Sequence, residues 1–178
     1  ETAALWEPLV AELERDDVAL LALPGFGIPL PEGFEPTMYR YADWLAEELT
    51  AFDEVDLVGH DWGGLLAMRV LADAPANVRT WALDTGDLGD DFRWHEAARI
   101  WQTPVEGEAF VESWLAATPE ERGQLLEAVG APAEGALRMG HAIDATMCRC
   151  ILGLYRSAVD IGPEWGPGID SWSGRGLL

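Results

Sequence analysis

The residue whose type and spacing most clearly point to chemistry is Asp61. It stands in Val55-Asp56-Leu57-Val58-Gly59-His60-Asp61-Trp62-Gly63-Gly64, where a short apolar run ends in Gly-x-Asp-x-Gly and a helix-forming apolar stretch, residues 65–72, follows. In that order of strand, tight turn and helix, the central side chain stands on a strained corner, and the flanking glycines let strand and helix pack closely. A serine alkoxide in this place attacks carbonyls. A carboxylate suits displacement at a saturated carbon, leaving an alkyl ester on the enzyme that water then hydrolyses. The plainer reading is that Asp61 caps the helix starting at Trp62, a role that needs no glycine at either flank. The backbone N–H of Trp62, at a helix start, is the natural second oxyanion donor when water attacks the ester.

Gly59-His60-Asp61-Trp62-Gly63-Gly64 is similar to the elbow of the epoxide hydrolase and haloalkane dehalogenase branch of the α/β-hydrolase superfamily. The resemblance implies an α/β fold with a parallel sheet flanked by helices and a helical cap, Asp61 being the nucleophile. It implies that the Trp62 indole N–H can hold a leaving halide. Tyr155, in Leu154-Tyr155-Arg156, resembles the cap tyrosine of epoxide hydrolases, whose phenol donates to the epoxide oxygen and gains acid character as the ring opens. The alternative for Tyr155 is a core aromatic. Asp84 lies near where one dehalogenase subgroup keeps its triad acid, the alternative being a cap on the turn at Thr85-Gly86. Epoxide hydrolysis is the leading expectation. Dehalogenation is the alternative, with Trp94 and Trp101 as candidates for a second halide-binding residue. A different class is a non-catalytic relative binding a hydrophobic ligand, against which the Asp of the elbow argues, since a binder has no need of a carboxylate in a dry pocket.

Several elements must position these residues. Residues 5–13 have apolar positions at helical spacing, with Pro8 in the first turn. Residues 17–23 form an apolar run of strand length, closed by Pro24-Gly25-Phe26-Gly27, and its continuity predicts burial on both faces of a parallel sheet. Thr37 caps a predicted helix with Met38, Tyr41, Leu45 and Leu49 on one stripe. A third strand spans residues 78–84, and the alternation of strand and helix argues for an α/β architecture. From residue 90 to 165 the signal is helical. Thr118-Pro119-Glu120-Glu121 is a capping box opening a helix that Gly130 closes, and a further helix near Asp144 lines up Met147, Cys148, Ile151, Leu154 and Tyr155. These expectations divide the chain into a hydrolase core at 1–89, a helical cap at 90–165 that keeps water from a hydrophobic substrate, and a linker at 166–178 returning to the core, with residues 162–172 read as loop and a strand beginning at Leu177.

By the same resemblance, the His-Gly-x-Pro oxyanion motif precedes Glu1 and the triad histidine follows Leu178, so both ends of the fold are expected to lie outside this chain. The strand carrying that motif would sit between the run at 18–23 and the strand at 55–58, leaving both short of a partner without it. A variant assignment makes Pro24-Gly25-Phe26-Gly27 itself the oxyanion motif, with Phe26 as amide donor.

Composition narrows the partners. The 178 residues carry 32 acidic and 11 basic side chains, every basic one an arginine, for a net charge of −21. That surface repels nucleic acid and anionic membranes, which leaves a small hydrophobic substrate as the expected partner. No basic, apolar leader or membrane-length run is present, so a cytoplasmic protein is expected. Cys148 and Cys150 fall on different faces of a predicted helix, which argues against a mutual disulfide or a metal pair. No ligand cluster predicts a metal, and Gly59-x-x-x-Gly63-Gly64 lacks the Lys-Ser/Thr of a phosphate loop, so no cofactor is expected. His60 is read as structural, and His95 and His141 lack the loop context of a catalytic base. Because the base is expected outside the chain, the purified 178-residue protein should show no turnover of epoxides or haloalkanes; sustained hydrolysis followed by product chromatography would overturn this.

Overall fold

The computed structural model describes residues 2–84, 88, 89, 91–171 and 174–178. The turn expected at Thr85-Gly86 lies outside the described residues. A short 3-10 turn at Ala3–Trp6 leads into α1 (Glu7–Leu13), with Pro8 in its first turn where no N–H is needed. α2 (Met38–Leu49), β1 (Val55–His60), α3 (Trp62–Ala72) and β2 (Val78–Asp84) follow. Next come α4 (Glu96–Gln102), α5 (Glu106–Ala116), α6 (Pro119–Ala128), α7 (Ala133–Ala142), α8 (Ala145–Ser157) and α9 (Ile161–Trp165). A 3-10 turn at Gly166–Ser171 and β3 (Arg175–Leu177) close the chain. The stretch 162–171, read as loop, is therefore largely helical turn. None of the described helices is long and apolar enough to cross a membrane.

The chain divides into two compact units, residues 1–36 with 100–154, and residues 37–99 with 155–178. In the second unit the sheet is parallel throughout, in the order β1-β2-β3. α3 is the crossover from β1 to β2 and packs on both strands, and α2 packs on α3. The expected stripe of α2 is buried at Met38, Tyr41, Leu45 and Leu49, and the Thr37 side chain accepts the Arg40 N–H to cap it. The Asn77 side-chain amide closes the other end of that region, donating to Leu49 O at 2.8 Å and Phe52 O at 3.0 Å.

One expected strand does not form. Residues 17–23 have no strand geometry, and Val18 and Leu20 are 37% and 42% exposed. The cause is the ladder itself. A strand exists only where a neighbour takes its N–H and C=O groups, and the three described strands pair with one another. The apolar run is therefore extended chain, and the Pro24-Gly25-Phe26-Gly27 turn after it is kept, with Gly25 and Gly27 at φ 85° and 82°. In that turn the Phe26 N–H donates to Leu23 O at 2.9 Å, so it is already engaged and does not fit the role of oxyanion donor.

The first unit is held by close helix contacts and one arginine. α6 and α7 cross at glycines: a Cβ on Gly140 would lie 2.8 Å from the Gly123 backbone nitrogen, and one on Gly123 would lie 3.1 Å from the Leu137 Cα. The Thr118 capping box forms as the sequence predicts, with Thr118 and Glu121 exchanging side-chain and backbone bonds. Beside it, the Arg122 guanidinium donates to five backbone carbonyls: Trp114, Leu115, Ala117, Gly140 and Ile143. These carbonyls lie in and just after the last turns of α5 and α7, where helix C=O groups run short of intrahelical donors, and a fixed fork of donors serves them. Cys148 and Cys150 are buried in this unit and form no disulfide, and burial pushes the Cys148 thiol up to about 11. Replacing Arg122 by Met should cost about 2–3 kcal/mol, because charge-assisted bonds to carbonyls are lost together. The thermal midpoint should fall by about 5–10 °C, and Arg122→Lys should recover less than half of it in calorimetry.

Candidate active site

The site lies in the second unit, at the end of β1. Asp61 has φ 51° and ψ −125°, a conformation L residues adopt only under constraint, and its costs run to about 1–3 kcal/mol. Its side chain makes no cap bond to the first turn of α3, so the capping role considered for it is not what the structure contains. Its carbonyl accepts the Leu65 N–H at 3.1 Å, opening the helix, and its N–H donates to Asp84 O at 3.3 Å. The corner is thus strung between β2 and α3.

The glycines around it have unequal duties. A Cβ on Gly59 would lie 2.7 Å from the Gly63 carbonyl oxygen, and one on Gly64 would lie 3.0 Å from Asp84 O. A Cβ on Gly63 would meet nothing within 4 Å. Close approach of strand and helix therefore depends on Gly59 and Gly64, while Gly63 is sterically free.

Trp62 begins α3 and is buried, 8% exposed. Its ring stacks on Trp94 at 5.6 Å and meets Tyr155 edge-on at 5.3 Å. Trp94 and Tyr155 are 5.1 Å apart, and the His95 ring lies 6.2 Å from each of them. Trp62 Nε1 is buried with no acceptor among the described residues, an arrangement that costs on the order of 1–3 kcal/mol when nothing is bound. The Trp94 indole, by contrast, donates to Ala158 O at 2.7 Å. His95 Nδ1 accepts the Ala98 N–H at 3.2 Å, which caps α4 and leaves its proton on Nε2 if the ring is neutral.

Asp84 sits opposite His60 in the β1–β2 register, and its Oδ2 is 2.9 Å from His60 Nδ1. The expectation of a structural His60 did not name this partner. The signal was available, since both residues end consecutive strands. Of the other tyrosines, Tyr41 is buried and Tyr39 donates to the Glu164 carboxylate, which raises the Tyr39 pKa. Trp101 belongs to the first unit, against Phe110 and Trp114 at 5.6 and 6.0 Å.

A sequence model of the alpha/beta hydrolase family matches residues 2–171. The chain belongs to that family. Two solved structures share the fold of this alpha/beta hydrolase. The crystal structure of DBJA has a TM-score of 0.65 at 20% identity, over 96% of this chain and 64% of that one. Haloalkane dehalogenase DbeA from Bradyrhizobium elkani USDA94 has a TM-score of 0.61 at 21% identity, over 96% of this chain and 62% of that one. The chain thus spans less than two thirds of either structure. No curated protein matches its sequence.

In this chain, Gly59→Ala should lower the urea midpoint by an amount worth about 2–3 kcal/mol, because backbone meets backbone. Gly63→Ala should stay within about 0.5 kcal/mol of the parent, or gain slightly from helix propensity. Equal losses in urea titrations of the two variants would contradict this division.

Proposed function

We propose that this corner is a nucleophile elbow and that the protein hydrolyses compounds with an electrophilic saturated carbon through an alkyl ester on Asp61. The observation that carries the reading is the sequence of the strained Asp61 followed by Trp62, whose indole N–H is buried with no acceptor among the described residues and whose ring adjoins Tyr155. A buried donor with no protein partner is suited to receive an electronegative atom from a ligand. An epoxide is the substrate class that uses both neighbours of the nucleophile. Asp61 forms the C–O ester bond, the ring C–O bond breaks, and the departing oxygen is stabilised by Trp62 and protonated by Tyr155. A histidine base would then take a proton from water as its oxygen adds at the ester carbonyl, with the Trp62 backbone N–H as an oxyanion donor; the acyl C–O bond breaks, the diol leaves and the Asp61 carboxylate is restored.

Haloalkane dehalogenation is the second reading, and Trp62 Nε1 specifically favours it, since an indole N–H can hold a halide that needs no proton. Trp94 does not fit the second halide donor proposed for that chemistry, because its N–H is committed to Ala158. Asp84 fits the triad acid less well, since it is drawn to His60. Residues 90–165 are proposed to act as the cap that excludes water. Within this reading the substrate is small and hydrophobic.

The test is intact-mass analysis and peptide mapping of the 178-residue chain after incubation with a panel of epoxides and haloalkanes. An adduct on Asp61, absent in Asp61→Asn, is expected. Addition of the whole epoxide mass favours the first reading, and alkyl transfer with halide release favours the second. No adduct from any panel member overturns the nucleophile assignment.

A further inference from the structure

We propose that His60 and Asp84 form a positioning pair that locks the strained corner carrying Asp61. A non-glycine residue in the Asp61 conformation persists only where its surroundings over-determine it. Downstream, the α3 bond from Leu65 N–H to Asp61 O supplies one tie. Upstream, the bond from Asp61 N–H to Asp84 O is 3.3 Å, longer than the usual 2.9–3.0 Å of such bonds and correspondingly weaker. The second upstream tie is the His60 Nδ1–H donating to Asp84 Oδ2 at 2.9 Å.

One residue therefore holds the corner twice. The Asp84 carbonyl grips the backbone of Asp61, and its carboxylate grips the side chain of the residue before it. Gly64 abuts the same Asp84 carbonyl, so the helix start is referenced to this point as well. The register makes the arrangement possible, because His60 and Asp84 are partners at the matched ends of parallel strands.

The imidazole and carboxylate side chains are 26% and 72% exposed, and an ion pair at such exposure adds little to global stability. Its effect is local, on the geometry of Asp61. The inference deepens the proposed function, and only its chemical arm rests on that reading.

The experiment compares Asp84→Ala, which keeps the backbone carbonyl, with His60→Asn, whose amide nitrogen replaces Nδ1 as donor. In the 178-residue chain labelled for NMR, Asp84→Ala should speed hydrogen exchange of the Asp61 amide at least tenfold. The amides of Leu57 and Val58 and the urea midpoint should stay as in the parent, and His60→Asn should remain within threefold at Asp61. Unchanged exchange at Asp61 in Asp84→Ala overturns the proposal. So does a lowered urea midpoint with all amides accelerated alike, which marks a general structural contact. Ester formation on Asp61 with an epoxide should slow at least tenfold in Asp84→Ala and stay within threefold in His60→Asn. Equal rates in parent and Asp84→Ala overturn the positioning role in the chemistry. Absence of ester in the parent overturns the nucleophile reading instead, and amide exchange still decides the lock.

Discussion

The structure of the second unit depends on one steric constraint, the near contact of β1 with the start of α3. Gly59 lies so close to the Gly63 carbonyl that no side chain fits between them, and Gly64 lies equally close to the end of β2. Strand, helix and neighbouring strand thus converge within van der Waals distance. The chain can make that convergence only by turning sharply at Asp61, in a conformation that a β-carbon disfavours. The start of α3 at Trp62 and the pairing of His60 with Asp84 both adjoin this turn.

The aromatic group around Trp62 shows how donors are apportioned by packing. Trp62 and Trp94 are stacked neighbours of the same residue type, yet one N–H is satisfied by Ala158 O and the other has no acceptor among the described residues. Burial without an acceptor is a cost to the folded chain that a ligand atom can remove. On the proposed reading, that donor belongs to the residue that follows the nucleophile in sequence. Tyr155 adds a phenol to the same group through the C-terminal turn of α8.

The first unit achieves order by different means. Its crossing of α6 and α7 at Gly123 and Gly140 brings backbones together, as at the corner. Beside that crossing, Arg122 serves carbonyls at the C-terminal ends of α5 and α7 with one side chain. A chain without lysine relies on arginine for this, and only a planar fork of donors reaches several carbonyls at once.

Local rules are what the sequence determined by itself. The Gly-x-Asp-x-Gly corner, the Thr37 cap, the Thr118 capping box and the buried stripe of α2 follow from side-chain types within a few residues of one another, and the structure contains each of them. Tertiary structure decided whatever depends on a distant partner. Residues 17–23 have the composition of a strand, but a strand is a relation between two chains of hydrogen bonds, and none of the described strands pairs with them. His60 and Asp84 are 24 positions apart and meet only because β1 and β2 lie parallel in one register. Which tryptophan N–H is satisfied was equally invisible in the sequence, because it depends on where the carbonyl of Ala158 comes to rest. Side-chain chemistry fixes what a residue can do, while the distances that the packed fold imposes fix which partner it has.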